Sequence, residues 1–395
     1  MRIYTKYKAL RRRDGLRAAL YWVLAVASLA TLGWLMWQPG ETPPGTPTSA
    51  RRLAPLPGPG TLSRQTGALP RPARATPPEP AAGSGQGRAN LPPRPSLGPN
   101  NAASAAPTFV PRPPQTVLEA QLALAGRGYS SGCLDGALGY QTRAALRAFQ
   151  ASEGLPITGG LDPETRERLR LAAPPMTNYV VTSNDLARLE PPVRGWLARS
   201  EQPRLDYATL LELVAEQGHA HPALVRRLNP GIDWTKAAPG TVVVVPNVAA
   251  SPPRAGAAVV YIHLGSRMLE AFDAHGALLL HCPCSIARNV EKRPLGVLHV
   301  VAVVHKPDYT FDPTNFPESA EAQQLGHKLR LPPGPRNPVG TVWIGLDRPG
   351  YGVHGTPAPE NIGRTESHGC FRLTNWDAEA LARLVTGGLP VVVEP

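Results

Sequence analysis

The placement of proline limits this chain more than any other feature. Of its 47 prolines, 20 lie between Pro39 and Pro114, in a stretch of Pro, Ala, Gly, Ser and Arg with almost no large apolar residues. Such a segment buries too little surface to offset the entropy of ordering it. Residues 39–114 are therefore expected to be a disordered linker. It would span about 50 Å as a coil and at most on the order of 200 Å as extended polyproline. Beyond the linker, the 395-residue chain is long enough for two or three domains.

Residues 18–38, AALYWVLAVASLATLGWLMWQ, carry no charge and are long enough to cross a bilayer once as a helix. Tyr21, Trp22, Trp34 and Trp37 stand near its two ends, as interfacial aromatics do. Arg2, Lys6, Lys8, Arg11, Arg12, Arg13 and Arg17 precede it in a basic tail at 1–17, and no Lys or Arg follows until Arg51. Positive charge stays on the cytoplasmic side. The expectation is a single-pass anchor in the cytoplasmic membrane, with the C-terminal domains facing the periplasm or cell wall. A cleaved signal peptide is the alternative, although the apolar run exceeds the usual length of a signal's hydrophobic region.

The net charge of +12 points at first to nucleic acid, but its distribution excludes that partner. Residues 1–38 and 39–114 hold +6 each, while 115–395 carry 26 basic and 26 acidic residues. The part expected to fold is neutral and has no basic footprint for a nucleic-acid groove. Four cysteines, Cys133, Cys282, Cys284 and Cys370, are too sparse for a disulfide scaffold, which leaves room for a free, reactive thiol.

The folded part reads as a multidomain α+β chain of three units. In residues 115–173, Val117, Leu118, Leu122 and Leu124 suggest a helix stopped by Gly126 and Gly128. Thr142 reads as the N-cap of a second helix carrying Ala145, Leu146, Phe149 and Leu155 at helical spacing. Asp162-Pro163 opens a third, making a small three-helix bundle. Gln121-Leu122, Gly128-Tyr129, Leu134-Asp135-Gly136, Gly139, Thr142, Ala145-Leu146, Phe149-Gln150 and Asp162-x-x-Thr165-x-x-x-Leu169 resemble the peptidoglycan-binding domain family. The resemblance implies a wall-polymer-binding module. Read alone, Asp135 and Gly136 are turn formers, and Cys133, which departs from the family pattern, is expected to be a small buried residue.

Residues 177–249 read as a strand at 179–181, helices at 209–218 and 223–231, and a strand at 241–247. Leu228-Asn229-Pro230-Gly231, Pro239-Gly240 and Val245-Pro246-Asn247 resemble a lysin motif, a small α/β module that implies a second glycan-binding unit. Residues 185–208 are longer than such a module needs, and a spacer of the same shape is the alternative.

From 256 to 395 the pattern becomes mainly β. AVVYIHL, RMLEAF, ALLLHCPCSI, GVLHVVAVV, TVWIGL and PVVVEP read as strands by length and β-branched content. One helix is expected from Ala378 to Val385, opened by a capping box at Thr374-Asn375-Trp376-Asp377 and closed by Gly387-Gly388.

The chemistry sits in YGVHGTPAPENIGRTESHGCFRLTNWD. A cysteine attacks an amide only as thiolate, so it needs a base or a positive neighbourhood. His354, sixteen positions before Cys370, and His368, two before it, are the candidate bases. Backbone N–H groups at Gly369 and Cys370 are candidate oxyanion donors. From the residues alone, a buried core thiol and a turn histidine remain the alternative.

HGT at 354–356, Ile362-Gly363, SHGC at 367–370, Arg372, Asn375 and Asp377 resemble the active-site signature of L,D-transpeptidases. Pro294-x-Gly296, Asn337-Pro338-x-Gly340 and the closing strand PVVVEP extend the likeness across 256–395. The resemblance implies a mainly-β catalytic domain with Cys370 as nucleophile and His354 as base. It implies that the carbonyl of Gly355 orients the imidazole and that His368 lines the site. Ser367, Gly369, Arg372, Asn375 and Tyr351 are implied substrate-binding residues, with bracing of the loop as the alternative for Arg372 and a helix-cap role as the alternative for Asn375. Arg293 stands where the family usually has Thr. Cys282 and Cys284 point to one face of a strand, where they could pair, stay free or modulate Cys370.

The implied partners are the stem peptides and glycan of peptidoglycan, and the implied product is a 3–3 cross-link. Carbapenem-like β-lactams are expected to acylate Cys370. An L,D-carboxypeptidase that uses water as acceptor, and a non-catalytic wall-binding tether, are the rival readings. No cofactor is implied. His281, Cys282, Cys284, His299 and His305 include possible zinc ligands, but their spacing matches no standard site, so no metal is expected. The sequence gives no signal of oligomeric state.

Overall fold

The computed structural model describes residues 109–248 and 256–395 apart from Glu366 and His368. The expected basic tail, membrane span and nearly all of the Pro-rich linker lie outside the described residues. Among the described residues no helix is long and apolar enough to cross a membrane.

The first helices are α1 (Val117–Ala125), α2 (Tyr140–Glu153) and α3 (Pro163–Arg168). Thr116 caps α1 by accepting the N–H of Glu119, and Asp162 caps α3 by accepting that of Thr165, each satisfying an N–H that the helix leaves unpaired. Thr142 is not the cap of α2. The helix begins two residues earlier, after Gly139, and the Thr142 hydroxyl donates to Ala137 O while accepting from Gln121 Nε2. A tertiary partner has taken the side chain that would otherwise cap. Ala145, Leu146 and Phe149 are fully buried.

Next come β1 (Met176–Val180), α4 (Ser183–Ala187), α5 (Trp196–Ser200), α6 (Leu210–Gln217), α7 (Pro222–Leu228) and β2 (Val242–Pro246). β1 and β2 pair antiparallel. The stretch that looked too long in sequence supplies α4 and α5, so four helices rather than two lie between these strands.

The C-terminal part is built on β3 (Val259–His263), β4 (Met268–Phe272), β5 (Leu278–Pro283), β6 (Gly296–His305), β7 (Tyr309–Phe311), α8 (Ala320–Leu325), β8 (Leu329–Leu331), β9 (Val342–Leu346), β10 (Gly352–His354), β11 (Phe371–Arg372), α9 (Asn375–Ala382) and β12 (Pro390–Glu394). Eight strands form one sheet in the order β11-β10-β9-β6-β12-β3-β4-β5, and β7 pairs separately with β8. Within the sheet β10 and β11, and β12 and β3, run parallel. The two ends of the sheet meet. Ser285, just past β5, exchanges both backbone hydrogen bonds with Arg372 of β11 at 2.9 Å. The sheet therefore curls round a core of Val260, Ile262, Leu269, Ile344, Val353, Phe371 and α9's Ala378 and Leu381.

Both upstream units dock on this C-terminal part, the first on the sheet and the second on the separate β7–β8 hairpin. Tyr129 bridges His281 in parallel, with His281 N–H donating to Gly128 O and Ser130 N–H to His281 O, each at 2.7 Å. Ser130 Oγ also donates to buried Asp377 at the start of α9 (3.0 Å). From the middle unit, Trp196 stacks on Phe311 with centroids 4.2 Å apart, and Leu205 exchanges backbone hydrogen bonds with Pro333 and Arg336. α5 and the segment after it thus grip the β7–β8 hairpin.

Gly128 makes the first of these seams possible. Its φ is +89°, and a Cβ there would lie 2.3 Å from Leu279 O. Gly128→Ala should combine left-handed strain with that clash and cost about 1–3 kcal/mol. A urea-unfolding midpoint equal to that of the wild type would contradict this account of the seam.

Candidate active site

β10 and β11 are only three and two residues long, yet their parallel register sets the site. Val353 pairs with Phe371 and His354 with Arg372. Val353 and Phe371 are 1% exposed and face the core. Alternation along the strands then turns His354, Cys370 and Arg372 to the opposite face. Cys370, one position before Phe371, lies one strand across and two residues along from His354. Neighbouring strands are about 4.8 Å apart and two residues along a strand span about 6.6 Å, so the register sets the two residues on one face with Cα atoms on the order of 8 Å apart.

His354 Nδ1 lies 2.7 Å from Gly355 O. A carbonyl oxygen only accepts, so Nδ1 carries the hydrogen. In the neutral ring Nε2 is then left as the acceptor. The ring is buried and stacks on Trp343 of β9 with centroids 5.6 Å apart. Burial, with the charge of Arg372 adding to it, pushes the His354 pKa down to about 3 against the opposing hydrogen bond to Gly355. The imidazole is a neutral base, not half of a resting ion pair.

Cys370 is half-buried and free. Its thiol donates to Gly350 O at 3.4 Å, in the turn between β9 and β10, rather than to the imidazole. Burial raises its pKa, while a backbone hydrogen bond from Gly352 and the charge of Arg372 work the other way. The two groups are a thiol and a neutral imidazole.

Arg372 is largely buried, which lowers its pKa, and its Nε has no hydrogen-bond partner among the described residues. A buried cation with an open donor favours an anionic ligand. Tyr309 of β7 is close enough that Cys370 and Arg372 both perturb its hydroxyl. Tyr351, beside the thiol's acceptor Gly350, holds the Arg348 guanidinium over its ring at 4.7 Å.

Ser367 is buried. Its Oγ donates to Cys370 O at 2.5 Å and accepts from Gly369 N–H at 3.3 Å. Its backbone bonds to Ile286 and Arg288 tie the loop to the segment after β5. One of the two expected oxyanion donors, Gly369 N–H, is therefore engaged by Ser367. His368 lies outside the described residues.

Asn375 is placed differently from a substrate contact. It is 2% exposed. Its Oδ1 accepts from Thr356 N–H (3.0 Å) and Thr341 N–H (3.2 Å), and its Nδ2 donates to Glu216 (2.8 Å) and Pro335 O (3.3 Å). No hydrogen-bonding capacity is left for a ligand. Nor is it the helix cap, since Thr374 accepts from Asp377 N–H in that role. Asn375 braces the strand end that carries His354. Gly355 and Gly340 allow this, because a Cβ at either would fall about 2 Å from Asn375 Oδ1 (2.2 and 2.1 Å). Trp343, Tyr309 and Gly340 were not singled out as site residues from sequence. Only Gly340 carried a signal, through Asn337-Pro338-x-Gly340.

Cys282 and Cys284 are both free and fully buried, and burial holds both thiols above their ordinary range. Cys133 is free and half-buried, with its thiol likewise raised by burial. Among the described residues no group of three or more His, Cys, Asp or Glu is arranged to hold a metal ion.

Residues 257–393 match the family model described as L,D-transpeptidase catalytic domain, and residues 114–169 match that described as "Putative peptidoglycan binding domain". The C-terminal domain is of the L,D-transpeptidase family. A Bacillus licheniformis protein named "Putative L,D-transpeptidase YkuD" is 24% identical over 187 residues, which is 47% of this chain and 94% of that protein. "Probable L,D-transpeptidase YbiS" of Escherichia coli K12 is 30% identical over 165 residues, 41% of this chain and 53% of that protein. A crystal structure of an L,D-transpeptidase from Xylanimonas cellulosilytica is similar at 16% identity and a TM-score of 0.30, covering 72% of this chain and 99% of that one.

The buried imidazole generates a pH prediction. With its pKa depressed to about 3, His354 should stay neutral and protonated on Nδ1 throughout pH 5–8. Nitrogen-15 NMR of the ring checks this, and a titration step near 6.5 would contradict it.

Proposed function

We propose that this L,D-transpeptidase family domain is an active acyltransferase that uses Cys370 to exchange the end of a peptidoglycan stem peptide. The observation that carries this reading is the fixed tautomer of His354, which leaves a lone pair on Nε2, on the sheet face that His354 shares with Cys370. Nε2 takes the thiol proton as Sγ attacks the amide carbonyl after the third residue of a tetrapeptide stem. The C–N bond breaks, Nε2 returns the proton to the departing D-Ala amine, and a thioester remains on Cys370. An amine from a second stem attacks the thioester, losing its proton to Nε2, which passes it to the departing sulfur and restores the Cys370 thiol. The product is a 3–3 cross-link. The Cys370 N–H, the expected donor that Ser367 does not engage, stabilises the oxyanion, and Arg372, with its open Nε, receives a substrate carboxylate. Water as acceptor would give carboxypeptidase activity through the same first half.

Residues 18–38 are proposed as a membrane anchor and 39–114 as the tether that carries the enzyme to the wall. The uncharged run, the basic residues before it and the density of prolines after it support this. The peptidoglycan-binding domain is proposed to hold wall polymer. The middle unit is proposed as a lysin-motif-like module, supported by its two paired outer strands and helices α6 and α7.

The purified protein incubated with tetrapeptide muropeptides should give cross-linked dimers. Tripeptide alone would indicate the carboxypeptidase. Neither product, or activity that survives Cys370→Ala, would overturn the assignment. Arg372→Ala should raise KM for the tetrapeptide donor at least about tenfold, the effect of losing one charge-assisted hydrogen bond. An unchanged KM would remove Arg372 from the binding role.

A further inference from the structure

Neither family match includes residues 174–248, yet this unit sends a carboxyl group into the catalytic domain. Glu216, on α6, accepts from Asn375 Nδ2 at 2.8 Å. The other end of the Asn375 amide accepts the N–H groups of Thr356 (3.0 Å) and Thr341 (3.2 Å). Thr356 follows Gly355, whose carbonyl takes the Nδ1 hydrogen of His354 at 2.7 Å. A continuous run of contacts thus leads from the middle unit to the catalytic base.

An asparagine amide holds its oxygen toward two N–H groups only while its nitrogen has acceptors on the far side. Pro335 O provides one at 3.3 Å, and Glu216 the shorter one. Without Glu216 the buried NH2 loses its better partner. The amide can then turn its donors toward Thr356 N–H and push the 354–356 segment out of register. Since about 1 Å of misplacement can cost on the order of a hundredfold in rate, the effect would be read in turnover.

We propose that Glu216 is a positioning residue for the Cys370–His354 reaction, so that the middle unit completes the catalytic domain rather than merely spacing it from the tether. The proposal rests on the acyltransferase reading above. The Glu216 carboxyl is faced by Glu212 on α6, Glu379 on α9, Glu360 in the loop after β10 and Asn375, and its charge also reaches Tyr207 and Cys133. Burial first, and then these like charges, raise it to about 7, with the Asn375 hydrogen bond opposing. Protonated or not, it presents an oxygen lone pair to Nδ2, so a glutamine can replace it.

The test compares Glu216→Leu with Glu216→Gln in the full chain. Leucine fills the volume and removes the cost of a buried carboxyl, which favours folding, but it has no acceptor. Two rates are measured: turnover of tetrapeptide muropeptides, and alkylation of Cys370 by iodoacetamide, which reads thiol deprotonation without any peptidoglycan substrate. The Leu variant should melt at or above the wild-type temperature, yet lose about tenfold or more in kcat and in alkylation rate with KM within about twofold. The Gln variant should recover both rates to within about threefold. Wild-type rates in the Leu variant, or a Gln variant as slow as Leu, would overturn the proposal. If the wild type turns over no muropeptide, the acyltransferase reading fails, and the alkylation rates still decide the role of Glu216.

Discussion

The hydrogen bond from His354 Nδ1 to the carbonyl of Gly355 decides which edge of the imidazole is available for chemistry. Everything around it serves to keep that bond and the ring's neutrality. Trp343 covers the ring, burial and Arg372 keep it unprotonated, and Asn375 holds the Thr356 N–H just beyond the accepting carbonyl. The close approach of Asn375 Oδ1 leaves no room for a Cβ at Gly355 or Gly340, so the glycines are part of the same device. A neutral base facing a neutral thiol avoids the cost of holding two charges in a partly dry site. In the proposed reaction, charge separation is deferred to the moment a substrate carbonyl can accept the sulfur.

The curled sheet supplies the second half of the arrangement. β11 is two residues long and would be marginal as a free edge, but Ser285 pairs with Arg372 from the other end of the sheet. The strand just after Cys370 is therefore held on both sides, by β10 and by the segment after β5. The upstream units add to this rigidity. One contributes Ser130 to Asp377 beneath α9, and the other contributes Glu216 to Asn375 on the same helix. Both carboxyls have pKa values raised mainly by burial, to about 6 for Asp377 and about 7 for Glu216. A raised folded-state pKa gives stability that is complete below the unfolded value and lost as pH rises through the folded one. The fold therefore loses stability from about pH 4 toward neutrality as these two buried carboxyls ionise.

The features legible in the sequence were local ones. The long strands of the sheet, α1, α3 and α9 each carry their own period or cap, and the His354-to-Cys370 segment carries its chemistry within a few residues. β10 and β11 were not legible, because two or three residues give no period and owe their conformation to their neighbours. Thr142 looked like a cap, and would act as one in isolation, but Gln121 and Ala137 claim its hydroxyl. Asn375 looked like a substrate contact or a cap and is a buried brace, because its partners Glu216 and Thr341 are far away in sequence. The extra length of 185–208 was visible. That it grips the β7–β8 hairpin was not, since that contact is settled by Trp196 stacking on Phe311.

Intact-protein mass spectrometry on acid-quenched turnover tests the central claim most directly. With a tetrapeptide donor and no amine acceptor, the account predicts a covalent adduct equal in mass to the acyl-tripeptide, mapping to the peptide that contains Cys370 and labile to hydroxylamine as a thioester is. An adduct on another residue, or turnover with no adduct at any quench time, would contradict it.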